Sequence, residues 1–338
     1  MTQICQIFAA GDVSLQDGTV LKDARLAYTT HGTLNAARDN AIVYPTFFCG
    51  THAENEWLIG EGRAIDPRKY FIVVPNMLGN GLSTSPSNRP DYEGGTFPHV
   101  SMYDNVRLQF RLLSEHLNVR RLALAVGWSV GAQQAFHWAA LFPDFVERIA
   151  PFCGSARTSR HNFVFLEGVK AALTADQSFK AGVYRDPPLC GLRAVARVYA
   201  GWGFSQSFYR AECDLNELGF PSLEAFLVGF WEGFFTKVDA NNLLAMLATW
   251  QAADISKNSL YDGDFSLALR SIKARALVMP CRTDLYFPPE DSEIEVGLMT
   301  NAELKVIPSI WGHSAGALGF NKTDVAFIDD AIKDLLNR

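Results

Sequence analysis

The chain has 338 residues, 48% of them hydrophobic, and a formal net charge of −6 with no long run of one sign. So much apolar material predicts a large core, either one big domain with an insertion or two modest ones. The lack of a basic stripe excludes nucleic acid as the expected partner, and no apolar run reaches the length of a bilayer crossing.

From Met1 to Ala10 a short apolar run has no basic flank and no cleavage site, so it reads as a first strand, not a signal peptide. Residues 4–14 and 20–30 read as two strands joined at Gln16-Asp17-Gly18, Asp-Gly being a strong hairpin signal. Ala41 to Phe48 (AIVYPTFF) reads as a buried strand that ends in the loop Cys49-Gly50-Thr51-His52. Tyr70 to Pro75 reads as another, running into the Gly/Ser/Asn/Pro-rich loop 76–86. Met102 to Leu117 carries apolar residues at helical spacing, with Asp104 placed to favour the first turn.

Leu122 to Val126 is wholly apolar, as a strand covered on both faces should be. It runs into Gly127-Trp128-Ser129-Val130-Gly131, a G-x-S-x-G pattern, and then into a helix of small residues ending before Pro143. The pentapeptide alone supports two readings equally. One is a strained turn presenting a nucleophilic serine; the other is an ordinary strand–helix turn with Ser129 as N-cap.

Arg148 to Phe152 reads as the next strand, closing at Gly154. From 156 to 271 helical stretches dominate (163–174, 191–201, 222–235, 241–252), dense in aromatics. Alternation resumes with a strand at Ala274–Cys281, a helix at 288–299, a strand at Leu304–Ile307 and a helix at Thr323–Asn337. The expected architecture is an α/β fold: a mostly parallel central sheet with helices on both faces. Residues 1–155 and 272–338 form its core, and 156–271 a helical cap over the C-terminal edge of the sheet.

The six cysteines are scattered without a C-x-x-C pair, which predicts free, buried thiols in a reducing compartment and hence a cytoplasmic location. No cluster of Cys, His and carboxylates suggests a metal, and no cofactor is expected.

A serine hydroxyl needs an adjacent base to act as a nucleophile at neutral pH. Asp284 follows the apolar strand ALVMPC directly, and His313 (Trp311-Gly312-His313-Ser314) lies just beyond the strand LKVI. Both therefore fall on the sheet edge where Ser129 emerges, in the order Ser, acid, His. Among the other histidines, His116 and His137 lie in predicted helices and His31 and His161 in turn-like stretches, while His52 and His99, in loops, are rivals for the base. Asp254, Asp262 and Asp264 are the alternative acids, none following a strand so cleanly; Asp291 falls within a helix. The expected oxyanion donors are the backbone N–H groups of Val130 and Phe48, with Phe47 the neighbouring alternative to Phe48. Phe47, His52, Trp128, Phe204 and Ser314 are the expected lining of the substrate pocket.

These motifs resemble those of the homoserine O-acetyltransferase family of α/β-hydrolase-fold acyltransferases, over nearly the whole chain. Leu58 to Phe71, Asn76 to Asn80, Phe97-Pro98, the GWSVGA elbow, Gly191 to Arg197 and Val238 to Asn242 all fall in step. The resemblance implies a triad of Ser129, Asp284 and His313, an oxyanion loop at Phe48, and a homodimer contact through the cap. The sequence also departs from the family. Ser314 stands where the family has an aspartate for the homoserine amine. Gly203-Phe204-Ser205 stands where a Tyr-Arg-Ser motif supplies an arginine for the carboxylate. A buried amine and carboxylate without charged partners bind poorly, so homoserine is not the expected acceptor.

Three functions are then in view. The first is hydrolysis of a small-molecule acyl ester through an acyl-Ser129 intermediate, with water as acceptor. The second is O-acyl transfer, with acetyl-CoA as co-substrate, to an alcohol other than homoserine. The third is a non-catalytic binding protein on the same scaffold.

Overall fold

The computed structural model describes residues 5–92 and 96–338. Residue 4 of the expected first strand lies outside the described residues, as does the opening of the Met1–Ala10 stretch. Eight strands form one sheet: β1 (Gln6–Ser14), β2 (Val20–His31), β3 (Ala41–Val43), β4 (Phe71–Pro75), β5 (Leu122–Trp128), β6 (Arg148–Phe152), β7 (Arg275–Val278) and β8 (Ala302–Leu304). Their order across the sheet is β1-β2-β4-β3-β5-β6-β7-β8. β1 and β2 pair antiparallel, as do β2 and β4; every later pairing is parallel.

Consecutive apolar residues need cover on both faces of a sheet, and alternate side chains do enter two separate cores. Ile42, Ile72, Leu124 and Val126 pack on one side; Val43, Val73, Ala125 and Ile149 pack on the other. All seven residues of β5 are buried. The helix α1 (Met102–Arg111) starts with a reciprocal cap, in which Ser101 Oγ accepts from the Asp104 N–H and Asp104 accepts from the Ser101 N–H. It ends in a wider π turn over Leu112–His116, where the sequence predicts a continuous helix to Leu117. α2 (Val130–Leu141) follows β5 and is buried throughout.

Some boundaries differ from expectation for local reasons. β3 ends at Val43 because Pro45 has no N–H to continue the ladder. The chain stays extended beside β4 through Tyr44 N–H to Val73 O (2.9 Å) and Thr46 N–H to Pro75 O (3.1 Å). Its free carbonyls are taken by side chains: Asn55 Nδ2 donates to Tyr44 O and Gln134 Nε2 to Thr46 O. β8 lies two residues earlier than predicted, and Ile307 makes only an isolated bridge to Cys281.

Between β6 and β7 the chain is helical. α3 (Arg160–Thr174) takes in His161, which the sequence placed in a turn; α4 (Leu189–Gly203) packs against it. The predicted helix 222–235 is interrupted by a π turn at Leu227–Glu232. All six cysteines are free, but Cys190 is exposed, contrary to the expected burial. No helix among the described residues is long and apolar enough to cross a membrane.

Candidate active site

Ser129 sits between β5 and α2 with φ 59° and ψ −126°, a conformation that costs a side-chain-bearing residue about 1–3 kcal/mol. The surroundings hold it there. Its N–H donates to Phe152 O at 3.1 Å, and its carbonyl receives the N–H groups of Ala132 and Gln133. Glycine is needed on either side because the turn is so tight. A Cβ at Gly127 would run into Gly131 O, and one at Gly131 would lie 2.8 Å from Pro45 O; after β6, one at Gly154 would lie 2.6 Å from Ser129 O. The Ser129 side chain makes no capping bond to its helix. Oγ instead lies 2.8 Å from His313 Nε2, so the hydroxyl does not serve as a cap.

His313 Nδ1 lies 2.8 Å from Asp284 Oδ2. The other carboxylate oxygen accepts the N–H groups of Tyr286 (3.1 Å) and Phe287 (3.0 Å). Serine, imidazole and carboxylate thus form one hydrogen-bonded chain, buried at 4%, 4% and 5% exposure. The turn bearing Asp284 and the loop bearing His313 are tied together, since Thr283 Oγ1 donates to Ser309 O and accepts from the Gly312 N–H. Gly312, at φ 61°, leaves room for the chain at Phe204 and Ser205, because a Cβ there would lie 2.7 Å from Ser205 N.

The histidine loop is also held from the elbow itself. Trp128 Nε1 donates to His313 O at 3.0 Å, and the two rings stack with centroids 5.1 Å apart. On its other side the imidazole meets Tyr286, centroid to centroid 4.3 Å. The sequence places Trp128 in the pocket but gives no sign of this bond, and nothing in it singles out Tyr286 beyond its place two residues after Asp284.

A cavity of about 330 Å³ opens onto Ser129 and His313. Phe47, Phe48, Trp128, Tyr199, Trp231, Phe235 and Tyr286 are among the residues of its wall, with Ser314 beside them. Phe48 is the residue where the chain turns out of the β3 extension, and Val130 opens α2. Among the described residues, neither backbone N–H has a hydrogen-bond acceptor within the protein.

Two expected lining residues are elsewhere. His52 is not part of the wall; its Nδ1 lies 3.1 Å from Asn76 Nδ2, and its backbone N–H donates to Asn76 Oδ1. Phe204 is fully buried behind the wall, where it stacks on Phe208 and meets Trp231 and Trp311. Its neighbour Gly203 reaches the cavity instead, packed against the Trp231 indole. The rival groups are committed away from Ser129. His99 Nε2 lies 3.5 Å from Ala248 O, Asp264 caps its own helix through the Leu267 N–H, and Asp254 accepts from Ser256. Among the described residues, no group of three or more His, Cys, Asp and Glu side chains could hold a metal ion.

The model of the alpha/beta hydrolase fold family matches residues 47–318. An ethyl acetate hydrolase from Pseudomonas veronii is 40% identical, the alignment covering 96% of this chain and 92% of the relative. The acetyl esterase MekB superposes with a TM-score of 0.96 at 39% identity, over 99% of this chain and 97% of that one. A homoserine O-acetyltransferase from Trichormus variabilis is 31% identical over 89% of this chain and 86% of the relative. The chain therefore belongs to the alpha/beta hydrolase fold family, in the branch that holds these esterases and homoserine O-acetyltransferases.

Proposed function

We propose that the protein hydrolyses small-molecule acyl esters through an acyl-enzyme on Ser129. The observation that carries this is the buried relay Ser129–His313–Asp284, each link 2.8 Å, opening onto a cavity walled by aromatic rings. His313 Nε2 takes the hydroxyl proton as Oγ attacks the ester carbonyl, and Asp284 steadies the imidazolium. The carbonyl oxygen becomes an oxyanion between the N–H groups of Phe48 and Val130, each such donor contributing about 2.7–4 kcal/mol. The protonated His313 then gives its proton to the departing alkoxide. In the second half a water loses its proton to His313 as it attacks the acyl carbon, and Ser129 leaves with that proton. No metal or cofactor is required in this scheme.

The branch also contains O-acetyltransferases, which favours one second reading: transfer of an acetyl group from acetyl-CoA to an alcohol. Two features support water as the acceptor over homoserine. The Ser314 hydroxyl, standing in the place of the amine-binding aspartate, donates to Gly203 O at 3.2 Å. Phe204, standing in the place of the carboxylate-binding arginine, is buried in an aromatic cluster. A binding protein without turnover has no use for a strained serine aimed at an imidazole. We further assign residues 156–271 as a cap, which offers a homodimer contact, and a cytoplasmic location.

Partitioning of the acyl-enzyme tests the reading. With an aryl acetate as donor, the expected product is free acetate at an unchanged rate when homoserine or simple alcohols are added. Efficient formation of O-acetylhomoserine would refute it.

A further inference from the structure

The proposed reaction leaves polar groups of the cavity wall unused, and the one nearest the imidazole is the Tyr286 hydroxyl. Tyr286 is 1% exposed, and its hydroxyl has no partner at ordinary hydrogen-bond distance among the described residues; the Tyr199 phenol interacts with it at longer range. A buried hydroxyl in that condition is costly unless something completes it. Its ring lies against the imidazole of His313, centroids 4.3 Å apart, so the hydroxyl is one ring's length from the reacting atoms. The phenol it faces is Tyr199, whose ring meets it edge-on at 6.3 Å and is stacked parallel to Phe48 at 6.1 Å. Both tyrosines line the cavity.

Of the remaining polar groups of the wall, the Trp231 indole N–H also lacks a partner among the described residues, and the others are spoken for or peripheral. Ser129 bonds His313, Ser314 bonds Gly203 O, and Lys237 is exposed. Burial pushes both phenols well above their ordinary range, so both stay protonated and neutral. The Tyr199 oxygen is the acceptor that faces the Tyr286 proton. That bond would leave the Tyr199 proton free for a group bound in the cavity that Tyr199 lines. A neutral hydroxyl here suits an uncharged partner; it supplies no charge to balance an ammonium group or a carboxylate stripped of water.

We propose that Tyr199, oriented by Tyr286, is a specificity-determining hydrogen-bond donor for an uncharged oxygen of the substrate, ether, ketone or hydroxyl, lying a few bonds from the ester carbonyl. The inference rests on the ester-hydrolase reading above. It makes oxygen-bearing small esters, not plain alkyl esters, the better substrates.

The test uses length-matched pairs on the full chain. On the alcohol side, 2-methoxyethyl acetate is compared with butyl acetate; on the acyl side, ethyl methoxyacetate with ethyl butanoate. In one pair the wild type should favour the ether in kcat/KM by about tenfold beyond its advantage in hydroxide hydrolysis, mostly through KM. Tyr199→Phe should return that ratio to the hydroxide value, and Tyr286→Phe should lower it about threefold. Each ratio is measured within one protein sample, so a loss of folded enzyme cancels. No excess preference in either pair, or a preference that survives Tyr199→Phe, overturns the proposal. Cleavage of all four esters without preference overturns it alone, whereas cleavage of none overturns the ester-hydrolase reading with it.

Discussion

Glu295 offers a quantitative test of what burial does to a carboxyl that holds the segment following β6. Its side chain is 3% exposed; one carboxyl oxygen accepts the Ala156 N–H at 2.8 Å, and the other has no partner among the described residues. Burial pushes its pKa up to about 8, from an ordinary 4.5. The folded protein therefore holds a proton that the unfolded chain releases between those values. The contribution of Glu295 to stability therefore falls as pH rises from 4.5 to 8 and levels off above it. At 1.36 kcal/mol per pH unit the full loss is up to about 5 kcal/mol. Unfolding entropy of about 2.1 cal/mol/K per residue converts this, for a chain of this length, to a Tm change of about 7 °C. Glu295→Gln keeps an oxygen for the Ala156 N–H and removes the titration. Thermal melts of both proteins from pH 4.5 to 9 should show wild type falling behind the variant as pH rises, by up to about 7 °C. A Tm difference that does not change with pH would refute the reasoning.

Other expectations concern the relay directly. Asp284→Asn should keep the fold but lose the tautomer control of His313, lowering kcat about 10³–10⁴-fold in steady-state ester hydrolysis. Gly154→Ala drives a methyl group toward Ser129 O and Ala132; kcat should fall at least tenfold with an unchanged far-UV spectrum, and full activity would show that the turn is not so constrained. Trp128→Phe removes the donor to His313 O, and a buried carbonyl left without its partner costs about 1–3 kcal/mol. We expect kcat/KM to drop about tenfold or more, whereas an unaltered value would mean that the histidine loop needs no anchor from the elbow.

How much of this was legible in the sequence depends on whether the signal is local. The run Leu122–Val126, the glycines around Ser129 and the small residues of α2 announce a strand, a tight turn and a close-packed helix without reference to anything distant. Asp284 and His313 are legible because each follows a strand that must end on the same edge as β5. The choice between cap and nucleophile for Ser129 is not legible, since it depends on its positive φ and on an imidazole 184 residues away in sequence. Pocket lining is the weakest reading. Phe204 and His52 belong to elements near the site, but whether a side chain faces the cavity depends on helix rotation and loop packing. Those are set here by Trp231, Trp311 and Asn76. Tyr286 carries no mark in the sequence, because an aromatic after an acid has no pattern of its own; only its packing on His313 and its buried hydroxyl distinguish it.

The most direct check of the central claim is stoichiometric labelling with a 4-nitrophenyl phosphonate, read by intact mass and peptide mapping. We predict one adduct per chain, on Ser129, with release of one equivalent of nitrophenolate, loss of ester hydrolysis in step with labelling, and neither adduct nor turnover in Ser129→Ala. Full ester hydrolysis by the Ser129→Ala protein, or an inactivating adduct on another residue, would contradict it.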